Sequence, residues 1–304
     1  MKTLRRVLAS VLIGILTFSS LCLGGCFFTP GKEGSLTLKQ PTVAPPTIGE
    51  EGVLRVGVDS SRTPYAGTSE GIIVGVDVDI AAALAEEMGL KLEIVDIRGQ
   101  DANILLREGN VDVVMGIQED EENPFTGVKV GPYLVNGPAV FTVGLSNTAQ
   151  EFNPEALEGV TMVAQEGSLS AWRASKNYGE ENVVVFPSLS DAFDELASGA
   201  YSYAVGDAIL GSFLAVDMDN INCIGILGDL QGVYIGVASN KAELVTELTK
   251  ALRSLRDSGN LNIIVSKWLG PQSAEVVSGE QTIEPINNPD SQSGDETSDE
   301  DGEE

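Results

Sequence analysis

The sequence predicts an α/β fold with largely parallel sheets. From residue 53 to residue 270, short apolar runs of strand length alternate with stretches of helical period. The chain has 304 residues, 42% of them apolar, which suffices for one or two ordinary cores. Of the three cysteines only Cys223 lies in this body, so packing rather than disulfides must hold it together.

The elements follow in order. Val53 to Val58 reads as a strand with the polar Arg55 in mid-run. Asp79 to Met88 reads as a helix, with Ile80, Ala83, Leu84 and Met88 on one face and Gly89 at its end. Leu92 to Ile97 is a strand, Asp101 to Glu108 a short helix closed by Gly109, and Val111 to Met115 a buried strand. Ala139 to Leu145 and Thr161 to Ala164 are strands, and Ser168 to Asn177 is a helix. Val183 to Phe186, Ser190 to Ser198 and Tyr203 to Val205 continue the alternation. Cys223 sits in the apolar run Ile221 to Leu227 and reads as a buried structural thiol rather than a nucleophile. Val233 to Ala238 is a strand, and Ala242 to Ser258 a long helix with Leu244, Leu248, Leu252 and Leu255 at helical spacing.

Both ends read differently from the body. Lys2, Arg5 and Arg6 precede the apolar run Val7 to Leu23, which is followed by Gly24, Gly25 and Cys26. A cut after small residues is the mark of a secretory signal peptide. A cut placed directly before a cysteine resembles the lipobox of bacterial lipoproteins. That resemblance implies a signal peptide over residues 1–25 and a lipid on Cys26. A transmembrane anchor with a chance cysteine is the other reading, and the Gly and Ser content of the run argues against it. Residues 26–52 are rich in Pro, Gly, Thr and Ser and read as a flexible tether. Residues 271–304 carry no basic residue and end in an acidic run, so a disordered tail is expected.

Composition excludes several functions. There is no histidine, so catalysis or metal binding through histidine is ruled out. A net charge of −27 makes nucleic acid an improbable partner. No metal and no cofactor is called for.

In parallel sheets ligands sit beyond the carboxyl ends of strands. The loops to watch are Asp59-Ser60-Ser61, Gly116-Ile117-Gln118, Gln165-Glu166-Gly167-Ser168 and Gly206-Asp207. Gly167-Ser168 opening a helix makes an anion pocket or a simple N-cap.

In its order of motifs the body resembles family 3 of the bacterial extracellular solute-binding proteins, the polar amino-acid receptors of ABC importers. The motifs are Gly52 to Gly57 with Pro64-Tyr65, Gly75-Val76-Asp77-Val78-Asp79-Ile80-Ala81, and Leu106 to Val113. They continue with Gly131-Pro132-Tyr133, then Leu157-Glu158-Gly159-Val160 to Gly167-Ser168. Val205-Gly206-Asp207, Gly232 to Ala238, and Gly259 to Gly270 complete them. The resemblance implies a periplasmic-binding-protein-like fold of type II, two α/β lobes joined by a two-strand hinge. Lobe one maps to 53–134 plus 231–270, and lobe two to 138–226. It implies a small polar solute clamped between the lobes, an ABC permease as partner, a monomer, and no enzymatic activity. With the lipid on Cys26, it implies a site at the extracytoplasmic face of the cell membrane.

The resemblance also assigns residues. Asp207 matches the acid that receives the ligand ammonium, and Ser168 the hydroxyl near the ligand carboxylate. Gly116 matches a backbone contact, Asp59 a side-chain contact and Tyr65 an aromatic wall. Gln118, Gln165 and Gly167 complete the expected site. Two departures stand out. The family's carboxylate-binding arginine is missing, since residues 118–123 read Gln-Glu-Asp-Glu-Glu-Asn, and Gly99 lies where a large aromatic often stacks. A cationic or amine-bearing solute therefore fits better than an anionic one, unless Gln118, Ser168 and backbone N–H groups hold a carboxylate unaided. A degenerate lipoprotein with a sensory or interaction role is an alternative, and a dehydratase on the same fold ranks below it.

Overall fold

The computed structural model describes residues 39–144, 153–218, 220–277 and 286–287. The signal-peptide and lipid-attachment expectations, and most of the tail, lie outside the described residues.

The chain builds two sheets. The first holds β1 (Val53–Val58), β4 (Lys91–Asp96), β5 (Val113–Ile117), β6 (Val128–Asn136), β12 (Gln231–Val237) and β13 (Ile286–Asn287), in the order β13-β6-β12-β5-β1-β4. The second holds β7 (Pro138–Val143), β8 (Met162–Gln165), β9 (Val183–Phe186), β10 (Tyr203–Asp207) and β11 (Ile221–Ile226), in the order β11-β7-β10-β8-β9. A small hairpin, β2 (Gly67–Ser69) with β3 (Ile72–Val74), has no counterpart in the sequence reading. Strands β4, β1 and β5 run parallel, as do β9, β8 and β10. Strands β6, β12, β7 and β11 pair antiparallel, so the sheets are mixed rather than largely parallel. The antiparallel strands are those that carry the chain across. β6 leads through Gly137 into β7, and β11 leads back to β12, so the first sheet is discontinuous in sequence.

Helices cover both sheets. On the first, α1 (Val76–Glu87) buries Ile80, Ala81, Leu84 and Ala85. Helix α6 (Ala242–Asp257) buries the predicted leucine stripe Leu244, Leu248, Leu252 and Leu255, while α2 (Ala102–Glu108) is capped by Asp101 and Gly109. On the second lie α3 (Leu169–Tyr178), α4 (Leu189–Ala197) and α5 (Ala208–Val216). Phe193 of α4 meets Phe141 of β7 with ring centroids 5.0 Å apart. Helix α7 (Asn260–Leu269) packs on α1, α5 and α6, and Lys267 and Trp268 both donate to Asp79 at the start of α1. Apolar faces at helical spacing, buried against sheets, explain why these segments fold as they do.

Two boundary expectations are corrected. Residues 39–52 do not form a free tether. Val43 and Ile48 are buried, Thr42 N–H donates to the Met88 carbonyl at 3.0 Å, and Lys39 pairs with Glu87 at 2.8 Å. The prolines there shape a packed strap over the first sheet's helices. Residues 271–277, expected as part of the tail, instead form α8 (Pro271–Val277), which buries Ala274 and Val277 against β11 and α5.

Arg55 in mid-strand has a partner. Its Nη2 donates to Asp112 Oδ1 at 2.8 Å and its Nε to Oδ2 at 3.2 Å. Asp112 also accepts the backbone N–H groups of Gly49 and Arg55, at 2.8 and 2.9 Å. One nearly buried carboxylate thus ties strap, β1 and the entry to β5. Removing it strands a guanidinium and two N–H groups. Asp112→Ala should lower unfolding free energy by about 3 kcal/mol or more in urea titrations. A loss near zero would mean that packing alone holds this corner.

Candidate functional site

The two crossings and the strand ends of both sheets border one cavity of about 410 Å³. That volume suits a small ligand. Gln118 contributes from the end of β5, Asn136, Gly137 and Pro138 from one crossing, and Asp229 and Gln231 from the other. The second sheet contributes Gln165, Ser168, Leu169, Ser170, Arg173, Leu189, Gly206 and Asp207. Of the residues predicted for the site, Gln118, Gln165, Ser168 and Asp207 meet here.

Asp207 ends β10 and caps α5. Its Oδ1 accepts the Leu210 N–H at 2.8 Å, and its Oδ2 accepts from Asn136 Nδ2 at 2.6 Å. Asn136 Oδ1 in turn accepts the Ile209 N–H at 3.2 Å. A carboxylate has about four acceptor positions, so capping and crossing bonds leave room for a ligand donor. Ser168 is engaged as the N-cap of α3. Its Oγ accepts the Ala171 N–H at 3.0 Å and donates to the Gln165 carbonyl at 2.8 Å. To donate to a ligand, that hydroxyl must rotate off Gln165. Gly167 lies in the same turn but does not line the cavity.

The floor on the first sheet is a hydrogen-bond chain. Tyr133 Oη donates to Asp77 Oδ1 at 2.7 Å and accepts the Gly116 N–H at 2.9 Å. Gly116 has φ +78, and a Cβ there would sit 3.3 Å from Asp77 Oδ2 and 3.5 Å from Arg62 Nη1. Only glycine fits without strain. Its carbonyl accepts from Arg62 Nη1 at 3.1 Å, and Gln118 Oε1 accepts from Arg62 Nη2 at 3.3 Å. Gln118 Nε2 donates to Tyr65 Oη at 3.2 Å, and Arg62 lies 5.1 Å from the Tyr65 ring centroid. Tyr65 is buried behind Gln118 rather than lining the cavity itself. Burial, followed by the negative charges of Asp207 and Asp77, pushes its phenol well above the ordinary range. It stays a neutral hydroxyl.

Arg62 is the residue that sequence reasoning misses. The expected arginine should follow β5, and none does. A guanidinium nonetheless reaches the end of β5 from the loop after β1, directly beyond Asp59-Ser60-Ser61. Arg62 and Gln118 also border a second, more open cavity of about 540 Å³, and Asp59 and Gly116 lie there rather than beside Asp207. Asp59 is turned onto Ser61, accepting its N–H at 3.0 Å and its hydroxyl at 2.6 Å. The acidic run is partly self-satisfied. Glu119 pairs with Lys129, and Asp120 accepts the N–H groups of Glu122 and Asn123. Gly99 borders neither cavity, and a Cβ there would meet no atom within 4 Å. Cys223 is buried and its thiol is pushed up to about 11 by desolvation, which leaves it unreactive.

The family model for bacterial extracellular solute-binding proteins, family 3, matches residues 54–271. The chain belongs to that family. The ABC transporter glutamine-binding protein of Bacillus subtilis is 23% identical over 90% of this chain and 100% of its own length. Cyclohexadienyl dehydratase of Pseudomonas aeruginosa is 29% identical, but the match spans 53% of this chain and 61% of that enzyme. A polar amino acid ABC uptake transporter substrate-binding protein from Streptococcus thermophilus superposes with TM-score 0.63 at 21% identity, covering 74% of this chain and 89% of that one. The two-lobed, type II α/β fold is therefore shared, with each sheet and its helices forming one lobe.

Asp77 offers a pH test of the floor. Burial raises its carboxyl to about 6, against the opposing pull of Tyr133 and Arg62. The folded state then binds the proton more tightly than the unfolded chain does. Stability from this group is full in acid and falls as pH rises towards about 6. Asp77→Asn, which cannot ionise, should gain on wild type by up to about 3 kcal/mol between pH 4 and pH 7 in paired urea titrations. A constant difference across that range would contradict a buried, raised carboxyl.

Proposed function

We propose that this protein captures a small polar, amino-acid-like solute between its lobes and hands it to an ABC permease. The observation that carries the reading is the cavity bounded by both strand-end sets and both crossings. A guest placed there touches both lobes at once, so closing the crossings around it gains contacts from each side and excludes water. In this reading Asp207 receives the ligand ammonium, and Gln118, backed by Tyr65, forms the lobe-one wall, with Gly116 on the adjoining cavity. Asp59 is reached only from the more open side. Gln165, Gly167 and Ser168 frame the lobe-two entry. Arg62, which borders the adjoining cavity beside Gln118, supplies the guanidinium that the β5 end lacks, for a ligand carboxylate that extends past Gln118. This revises the preference for a ligand without a carboxylate.

The chain acts at the extracytoplasmic face, as a monomer held by lipid on Cys26. Among the described residues no helix is long and apolar enough to cross a membrane. The similarity to cyclohexadienyl dehydratase keeps a lyase as the second reading, to be judged by turnover.

Thermal shift against amino acids, amines and cyclic acids tests the proposal. A ligand at 100 times its dissociation constant should add about 2.7 kcal/mol. Asp207→Asn and Ser168→Ala should each weaken that ligand while retaining the fold, by about tenfold for Asp207. No shift with any compound would favour a sensory or interaction role. Wild-type affinity in both variants would misplace the site.

A further inference from the structure

We infer that the ligand carries a second anionic group, taken up by Arg173 of lobe two, so that the cleft selects an acidic amino acid. This rests on the proposed reading of the cleft as an amino-acid site and adds the charge of the ligand side chain.

Arg173 lines the cavity from α3. Its Nε is buried with no hydrogen-bond partner, and it forms no ion pair among the described residues. Its guanidinium lies 5.8 Å from the ring centroid of its neighbour Trp172. Asp229 borders the same cavity, yet it is exposed and does not pair with Arg173. Acidic residues outnumber basic ones 45 to 18, so partners for a cation are plentiful, and an arginine left without one beside a cavity needs a reason. Arg55 and Arg98 show the usual outcome, each paired with an aspartate at 2.8 and 2.9 Å. A buried guanidinium N–H without an acceptor is costly, and a ligand carboxylate relieves that cost.

Arg62 is the second cation in this position. Its hydrogen bonds go to neutral oxygens of Gly116 and Gln118. Gln118, which accepts from Arg62, borders both cavities, so the two cavities adjoin at this side chain. The charged groups around the Asp207 cavity are Arg173, Asp207 and the exposed Asp229, while Arg62 borders the adjoining cavity with Asp77 close to it. An amino acid with a neutral side chain engages Arg62 and Asp207 and leaves the buried Nε of Arg173 without an acceptor. An acidic side chain matches all three. The planar fork of arginine also separates a carboxylate from its amide, because the amide offers one acceptor and turns N–H donors towards a donor.

Isothermal titration of the full mature chain with L-glutamate, L-aspartate, L-glutamine and L-asparagine tests this. Wild type should bind one acid at least about tenfold tighter than its amide, and Arg173→Gln should remove most of that ratio. Should Arg173→Gln fail to fold by circular dichroism, Arg173→Lys, which keeps the charge and loses the fork, should still shrink the ratio. Equal or tighter binding of the amides by wild type, or a ratio unmoved by substitution, overturns the inference and leaves the amino-acid site standing. Binding of none of the four overturns the inference as well, and if no other α-amino acid binds either, the amino-acid site falls with it.

Discussion

The bond between Asn136 and Asp207 joins the two halves of the molecule at the cavity. Asn136 ends the strand that leaves the first sheet, and Asp207 ends a central strand of the second and begins a helix. One side chain on the crossing therefore fixes the acid on the far lobe, and the acid fixes the helix behind it. In the proposed reading, a ligand ammonium at the remaining oxygen positions of Asp207 shares that carboxylate with Asn136 of the crossing.

The lobe-one side is built on a different principle. Asp77, Tyr133, Gly116 and Arg62 form a chain in which each polar group is satisfied by the next. A glycine at positive φ lets the backbone of β5 approach Arg62 and Asp77 closely. The result is a rigid floor with a cation on its surface, whereas the lobe-two wall offers a capped helix start, an acid and a second cation. Rigid floors and preset charges lower the ordering cost of binding.

Much of the fold is legible in the sequence. Alternating strand and helix periods locate most elements within about two residues, and the leucine stripe of α6 lies where its spacing puts it. Period alone does not reveal which strands cross between sheets, so the antiparallel pairing at β6, β7, β11 and β12 is hidden behind an expectation of parallel sheets. Pro-rich composition conceals the packed strap of residues 39–52, whose signals are the isolated Val43 and Ile48. At the site, Gln118, Gln165, Ser168 and Asp207 can be found because strand ends mark ligand sites in such sheets. Arg62 is overlooked because motif order places an arginine by sequence position, while the fold brings this one to the end of β5 from the loop after β1. Asn136 carries no sequence signal beyond its place before Gly-Pro.

The most direct test of these ideas is a crystal structure of the protein purified without stripping ligand. The expected result is a small molecule between the lobes, with a nitrogen within hydrogen-bond distance of Asp207 and an acidic group near Arg62. A ligand lodged elsewhere, with Asp207 bonded only to Asn136 and the Leu210 N–H, would contradict it.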